Sequence, residues 1–240
     1  MKNKRLVLFD IDGTLLNGGR LWRECFEASV AECFPGVIFP RVSFSGKTDR
    51  LICMELMKGA GIWTDDGVAQ TWIDDILKNY LGRVRSLISQ RSGEVTLLPG
   101  VRKLVDSLRS HADVCLGLLT GNVEEGAQIK LQAVGMGLGS SGEFAFGAFG
   151  NDHWNRYELP AIAVRRALEK FSFEFQAKQI VIIGDTVHDV NCGKSLGVRT
   201  IAVGTGHSAQ RTELLGANPD YFFSDLSAHE QVLASILCEM

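Results

Sequence analysis

Short apolar runs recur along this 240-residue chain, each followed by glycine or aspartate and then by a helical pattern. Leu6-Val7-Leu8-Phe9 is the first and Val114-Cys115-Leu116-Gly117-Leu118-Leu119 the second. A weaker third covers Phe144 to Phe149, and Ile180-Val181-Ile182-Ile183, Val198 to Val203 and Tyr221-Phe222-Phe223 complete the set. Runs without polar alternation read as strands buried on both faces, which is the condition of a parallel sheet covered by helices. Helices are expected at about 100–110, 124–135, 159–171, 189–196, 208–216 and 226–238. Pro99-Gly100 opens the first of these, and Pro160 falls in a first turn, where proline is tolerated.

Residues 18–95 interrupt the alternation. Helical patterns occupy about 20–34, 48–60 and 65–91 with no strand between them, and Asn17-Gly18-Gly19 and Arg91-Ser92-Gly93 supply flexible crossings. The expected architecture is therefore α/β, a Rossmann-like parallel sheet core formed by residues 1–17 and 96–240, with an all-helical cap domain of residues 18–95 inserted after the first strand.

Composition narrows the function classes. Apolar residues make up 45% and the net charge is -3, so the overall field gives no reason to expect a nucleic-acid or membrane partner. The basic start followed by Leu6–Phe9 is cut short by Asp10 and Asp12, which argues against a signal peptide, and no run approaches a bilayer span. A cytoplasmic location is expected. The six cysteines have neither CxxC nor metal-type spacing and read as reduced, half-buried residues.

Chemistry concentrates at strand ends. Phe9-Asp10-Ile11-Asp12-Gly13-Thr14 puts two carboxylates, two residues apart, at the end of the first strand, where ligands of parallel sheets bind. A chance D-x-D-G-T has a probability of roughly 0.1–1% in a chain of this length at average composition. Close carboxylates repel unless a cation or proton separates them. A second acidic strand end is Gly184-Asp185-Thr186-Val187-His188-Asp189, in which Asp189 can also serve as a helix N-cap. Asp10, Asp185 and Asp189 together suit a hard cation, and Mg²⁺ fits because it takes few carboxylates and uses phosphate oxygens. Thr120-Gly121-Asn122 ends the second run before a helix, where a hydroxyl and backbone amides can cradle a phosphate.

In this order the three segments resemble the motifs of the haloacid dehalogenase superfamily of phosphohydrolases. Asp10-Ile11-Asp12-Gly13-Thr14 matches its first motif, Thr120 its second, and Gly184-Asp185 through Asp189 its fourth. The helical insertion is similar to that family's small helical cap, so the resemblance covers the whole chain, and it implies a central first strand. The third motif departs. A lysine is usual there, whereas residues 150–160 contain none, and Arg156 is the cation best placed to pair with Asp10 and a phosphate oxygen.

The resemblance implies a Mg²⁺-dependent phosphatase acting on a small phosphorylated metabolite. Asp10 would be the nucleophile, ionised without help, and Asp12 the general acid and then the base. Asp10, Asp185, Asp189 and the Asp12 backbone carbonyl would hold the metal, while Thr120, Gly121, Asn122 and Arg156 would bind the transferred phosphoryl group. An acid at Asp12 favours phosphoester hydrolysis over dehalogenation, since halide leaves unprotonated. Lys47, in the polar loop Ser45–Arg50, is expected over the site as a substrate-selecting residue rather than a Schiff-base lysine. A phosphomutase and a phospho-accepting receiver domain are the competing readings. His153, His188 and His207 lack metal-type spacing and receive no role, and Trp22, Trp63 and Trp72 are expected in the core of the cap.

Overall fold

The structure, a computed structural model, describes residues 4–65, 67–206 and 211–238. His207 and the first residues of the helix expected at 208–216 lie outside them. Strand β1 (Arg5–Phe9) sits inside a six-stranded parallel sheet with β4 (Val114–Leu119), β5 (Phe146–Ala148), β6 (Ile180–Gly184), β7 (Arg199–Val203) and β8 (Tyr221–Phe223). Their order is β5-β4-β1-β6-β7-β8. The switch in direction on either side of β1 opens a crevice at its carboxyl end, where ligands collect in such sheets.

Both faces of the central strands are covered, which is why their sequences are continuously apolar. In β1, Val7 and Phe9 join a large cluster on one face, while Leu6 and Leu8 join a second cluster on the other. The first face is packed by α4 (Val101–Ser110), α5 (Glu124–Ala133) and α9 (His229–Leu237), the second by α6 (Leu159–Phe171). The helix α7 (Val187–Leu196) follows β6 and packs on β7 and on the short helix α8 (Arg211–Gly216).

Between β1 and β4 the chain forms α1 (Leu21–Cys33), α2 (Asp49–Gly59) and α3 (Gly67–Ile88), none of which adds to the large sheet. α1 and α2 pack on α3 through Phe26, Ile52, Ile73 and Tyr80, and α3 also meets α5. The crossing into and out of this segment is a paired ribbon rather than two loose hinges. β2 (Leu16–Asn17) and β3 (Thr96–Leu97) run antiparallel, Leu16 opposite Leu97. Periodicity cannot reveal two-residue strands, which is why the sequence showed only the flexible Asn-Gly-Gly and Ser-Gly that flank them.

Trp72 is a further correction. It is 37% exposed and leans on Phe34 rather than filling the interior. Among the described residues no helix is long and apolar enough to cross a membrane.

Candidate active site

β1 ends at Phe9, so Asp10 and Asp12 lie in the turn beyond it, and the turn rather than strand alternation aims both at the crevice. Ile11 anchors that turn from within the core, and its carbonyl accepts from Leu15 and Leu16. Gly13 has φ +83°, and a Cβ there would come within 2.3 Å of the Asp185 carboxylate. Glycine is needed on both counts. Asp10 is fixed by its own amide, which donates to Ile183 O of the neighbouring strand at 3.0 Å.

The sheet brings Asp10, Asp185 and Asp189 together, each buried, with carboxylate oxygens within 4.8 Å of one another. Arg156 reaches the same point from the short turn before α6. Its Nη2 lies 3.2 Å from Asp10 Oδ1 and 2.5 Å from Asp189 Oδ1, and the residue is 4% exposed. Burial works against its charge, but Asp189 and Asp10 outweigh that and hold it protonated. The arginine expected to stand in for the motif lysine is thus interior.

Asp189 joins the acidic group as expected but is not the helix cap. α7 begins at Val187 and is capped by Thr186, not by Asp189. Asp189 Oδ2 accepts from the Thr186 amide and hydroxyl, and Oδ1 accepts from Arg156. Asp189 thus holds Arg156 while remaining part of the buried acidic triad. Asp185 accepts from the Thr14 hydroxyl at 3.3 Å and, among the described residues, forms no ion pair.

These charges strain against one another. Burial, opposed by Arg156 and reinforced by Asp189 and Asp12, raises the Asp10 carboxyl to about 6. Asp185 is pushed well above the usual carboxylate range by burial and then by Asp10 and Asp189. A buried carboxylate paired with no cation among the described residues, beside a second one so displaced, is the donor set that a divalent cation with oxygen ligands would relieve.

The Thr120-Gly121-Asn122 turn closes the other side. Thr120 Oγ1 accepts from Asn122 Nδ2 at 2.8 Å, and the same Nδ2 donates to Asp12 Oδ2 at 2.7 Å. The amides that open α5 are not free for a phosphate. Val123 N donates to Asp49 Oδ2 at 2.9 Å and Glu124 N to Asn151 Oδ1 at 2.8 Å. Asp49 comes from the helical insertion, and its own amide donates to Gly121 O at 2.9 Å. A Cβ on Gly121 would meet Lys47 O at 2.0 Å, so this approach of the two segments requires glycine.

Lys47 does line the crevice, as expected, with its ammonium paired to Glu55. Together these walls enclose a cavity of about 280 Å³. Trp22 packs against the core, as expected, and also forms part of this wall.

Two residues that the motifs do not mark are also in the site. Lys130 of α5 is buried and bonds Asp12 Oδ2 at 2.7 Å. The signal for it was available, because Gly126, Ala127, Lys130 and Leu131 form the buried stripe of α5, and a lysine on such a stripe requires a partner. Asp49 is the other. Burial, against Lys130 and Val123 N–H, raises its carboxyl to about 6, with Asp12 adding to the rise.

Between the ordinary value and about 6 the folded protein holds the extra proton at Asp49, so stability falls as pH rises through this window. Asp49→Asn keeps an acceptor for Val123 N–H and removes the titration. Relative to the variant, the wild type should lose up to about 3 kcal/mol between pH 4 and 6, read by urea unfolding at each pH. Parallel pH profiles would show that Asp49 does not titrate there.

The match of residues 7–203 to the family model of haloacid dehalogenase-like hydrolases decides the family. The chain belongs to it. The curated phosphoglycolate phosphatase of Synechococcus elongatus is 26% identical over 159 residues, 65% of this chain and 68% of that one. A hydrolase from Pseudomonas syringae superposes with a TM-score of 0.69 at 17% identity, covering 98% of this chain and 100% of the other. β-Phosphoglucomutase from Clostridium difficile gives 0.69 at 12% identity, covering 97% of each. At such identities the solved structures establish that this hydrolase shares their fold. The Rossmann-like sheet with its intervening helices is common to them, as the resemblance implied.

Proposed function

We propose that this hydrolase is a Mg²⁺-dependent phosphatase that releases phosphate from a small phosphorylated metabolite, with residues 18–95 serving as its cap. The observation that carries this reading is Asp10. It is 5% exposed, paired to a buried guanidinium, and opens with Asp12 onto one cavity. The curated relative's activity is consistent with it.

Asp10 and Asp185 would hold the metal, with the Asp12 backbone carbonyl that the family resemblance adds. Bound there, Mg²⁺ would offset the crowded carboxylates and the charge on the phosphoryl oxygens. An Asp10 carboxylate oxygen attacks phosphorus, and the bond to the leaving oxygen breaks with its electron pair staying on that oxygen. Asp12 gives the leaving oxygen a proton, and an aspartyl phosphate remains. Asp12 then takes a proton from water, whose oxygen attacks phosphorus and frees phosphate and Asp10. Arg156, held by Asp189, and the Thr120 hydroxyl stabilise the phosphoryl oxygens. The cavity walls Trp22, Phe26, Phe44 and Tyr80 suit a small organic group, with Lys47 at its polar rim.

Phosphate release is to be measured with Mg²⁺ on p-nitrophenyl phosphate, phosphoglycolate, hexose phosphates and nucleotides. Turnover that chelation abolishes is expected on at least one. Isomerisation of a sugar phosphate without phosphate release would replace the hydrolase with a mutase. Silence on every ester would overturn the reading.

A further inference from the structure

Asp12 is gripped on one side only. Its Oδ2 accepts from Lys130 Nζ and from Asn122 Nδ2, each at 2.7 Å. Its Oδ1 is shielded from solvent and, among the described residues, has no hydrogen-bond partner. Lys130 is itself locked. It is 3% exposed, donates to Asn122 Oδ1 at 2.6 Å, and its ammonium stands 4.7 Å from the centre of the Trp22 ring. Burying an ammonium is expensive unless it is paired and hydrogen-bonded, and this one spends its bonds on the Asp12 carboxylate and the amide beside it.

We propose that Lys130 is a positioning residue that, with Asn122, fixes the Asp12 carboxylate through Oδ2 and reserves Oδ1 for the leaving oxygen. The inference rests on the reading of Asp12 as the acid and base of a phosphatase. With Oδ2 held, the proton that goes to the leaving oxygen travels from Oδ1. The P–O bond breaks as the Asp10–phosphorus bond forms, its electron pair going to the oxygen that receives that proton. Water later returns a proton to the same Oδ1. The Trp22 contact adds a consequence: the cation that orients Asp12 is itself covered by a residue of the helical insertion.

A substrate with a good leaving group needs little protonation, whereas an alkyl phosphate needs it fully, so loss of an oriented acid is graded by leaving group. The test is the single-turnover phosphorylation rate of Lys130→Met on an alkyl phosphate and on 2,4-dinitrophenyl phosphate. Inhibition by inorganic phosphate and melting temperature are measured on the same preparations. A loss of about 100-fold on the alkyl ester and under about 5-fold on the dinitrophenyl ester is expected, the usual reach of general acid catalysis. The inhibition constant for phosphate should stay within about twofold, since Lys130 does not touch the phosphoryl site. Lys130→Arg, which keeps a cation, should recover most of the alkyl-ester loss. If Lys130→Met fails to fold, Lys130→Gln takes its place.

Equal losses on both esters, or a loss confined to phosphate binding, would overturn the proposal. Asp12→Asn separates the two levels. A graded loss in Asp12→Asn beside an ungraded one in Lys130→Met removes the positioning role alone. An ungraded loss in Asp12→Asn removes the acid role of Asp12 and the inference with it.

Discussion

Asp10→Asn is expected to reduce phosphate release by about four to six orders of magnitude, the scale seen when a covalent nucleophile is removed. The amide preserves shape and volume but has no anionic oxygen for phosphorus. The fold should survive. Asp10 is raised to about 6 chiefly by burial, so the neutral side chain removes a charge that the folded protein resists, and Arg156 retains Asp189 at 2.5 Å. Progress curves with and without the substitution, beside melting temperatures, check both halves. A variant that folds and retains a hundredth of wild-type turnover would exclude Asp10 as the nucleophile.

Arg156→Met carries the second large effect, and it falls on stability as well as activity. The guanidinium is the only cation paired with Asp10 and Asp189 among the described residues, and all three are interior. Removing one partner of a buried pair leaves uncompensated charge, at about 3–5 kcal/mol. Losing the group that stabilises the phosphoryl oxygens should lower kcat/KM by about 10²–10³. The two consequences separate on adding Asp189→Asn, which removes one orphaned charge. The double variant should recover part of the unfolding free energy but none of the activity, because close groups couple. Equal stability losses in the single and double variants would mean that the charge pairing is not what holds this region together.

The fold was legible wherever burial leaves a periodic trace. Six apolar runs gave six strands, because residues such as Leu6, Val7, Leu8 and Phe9 meet packed helices on both sides of the sheet. The ribbon Leu16–Asn17 with Thr96–Leu97 was illegible, being too short to have a period and set by contacts 79 and 81 residues apart. Motif residues were legible for the opposite reason. Asp10, Asp12 and Asp185 follow apolar strands, where an acid has no structural purpose, and they do converge on one crevice.

What tertiary contact alone decides was missed. Nothing local says that Asp49, on the insertion, accepts from the Val123 amide at the start of α5. Asp189 was read as a helix cap because its bond to Arg156 joins residues 33 apart in sequence. Lys130 stood between the two patterns. Its position on the buried stripe of α5 was visible, but its partner Asp12 lies 118 residues away.

The most direct test of the account is to find the phosphoryl group on the protein. Wild-type enzyme with Mg²⁺ and a turned-over phosphate ester is quenched in acid during the first turnover, digested, and its peptides are weighed. One phosphoryl group is expected on the peptide carrying Asp10, and none when that residue is asparagine. Rapid phosphate release with no protein-bound phosphoryl group at any quench time, or with the group on another side chain, would contradict it.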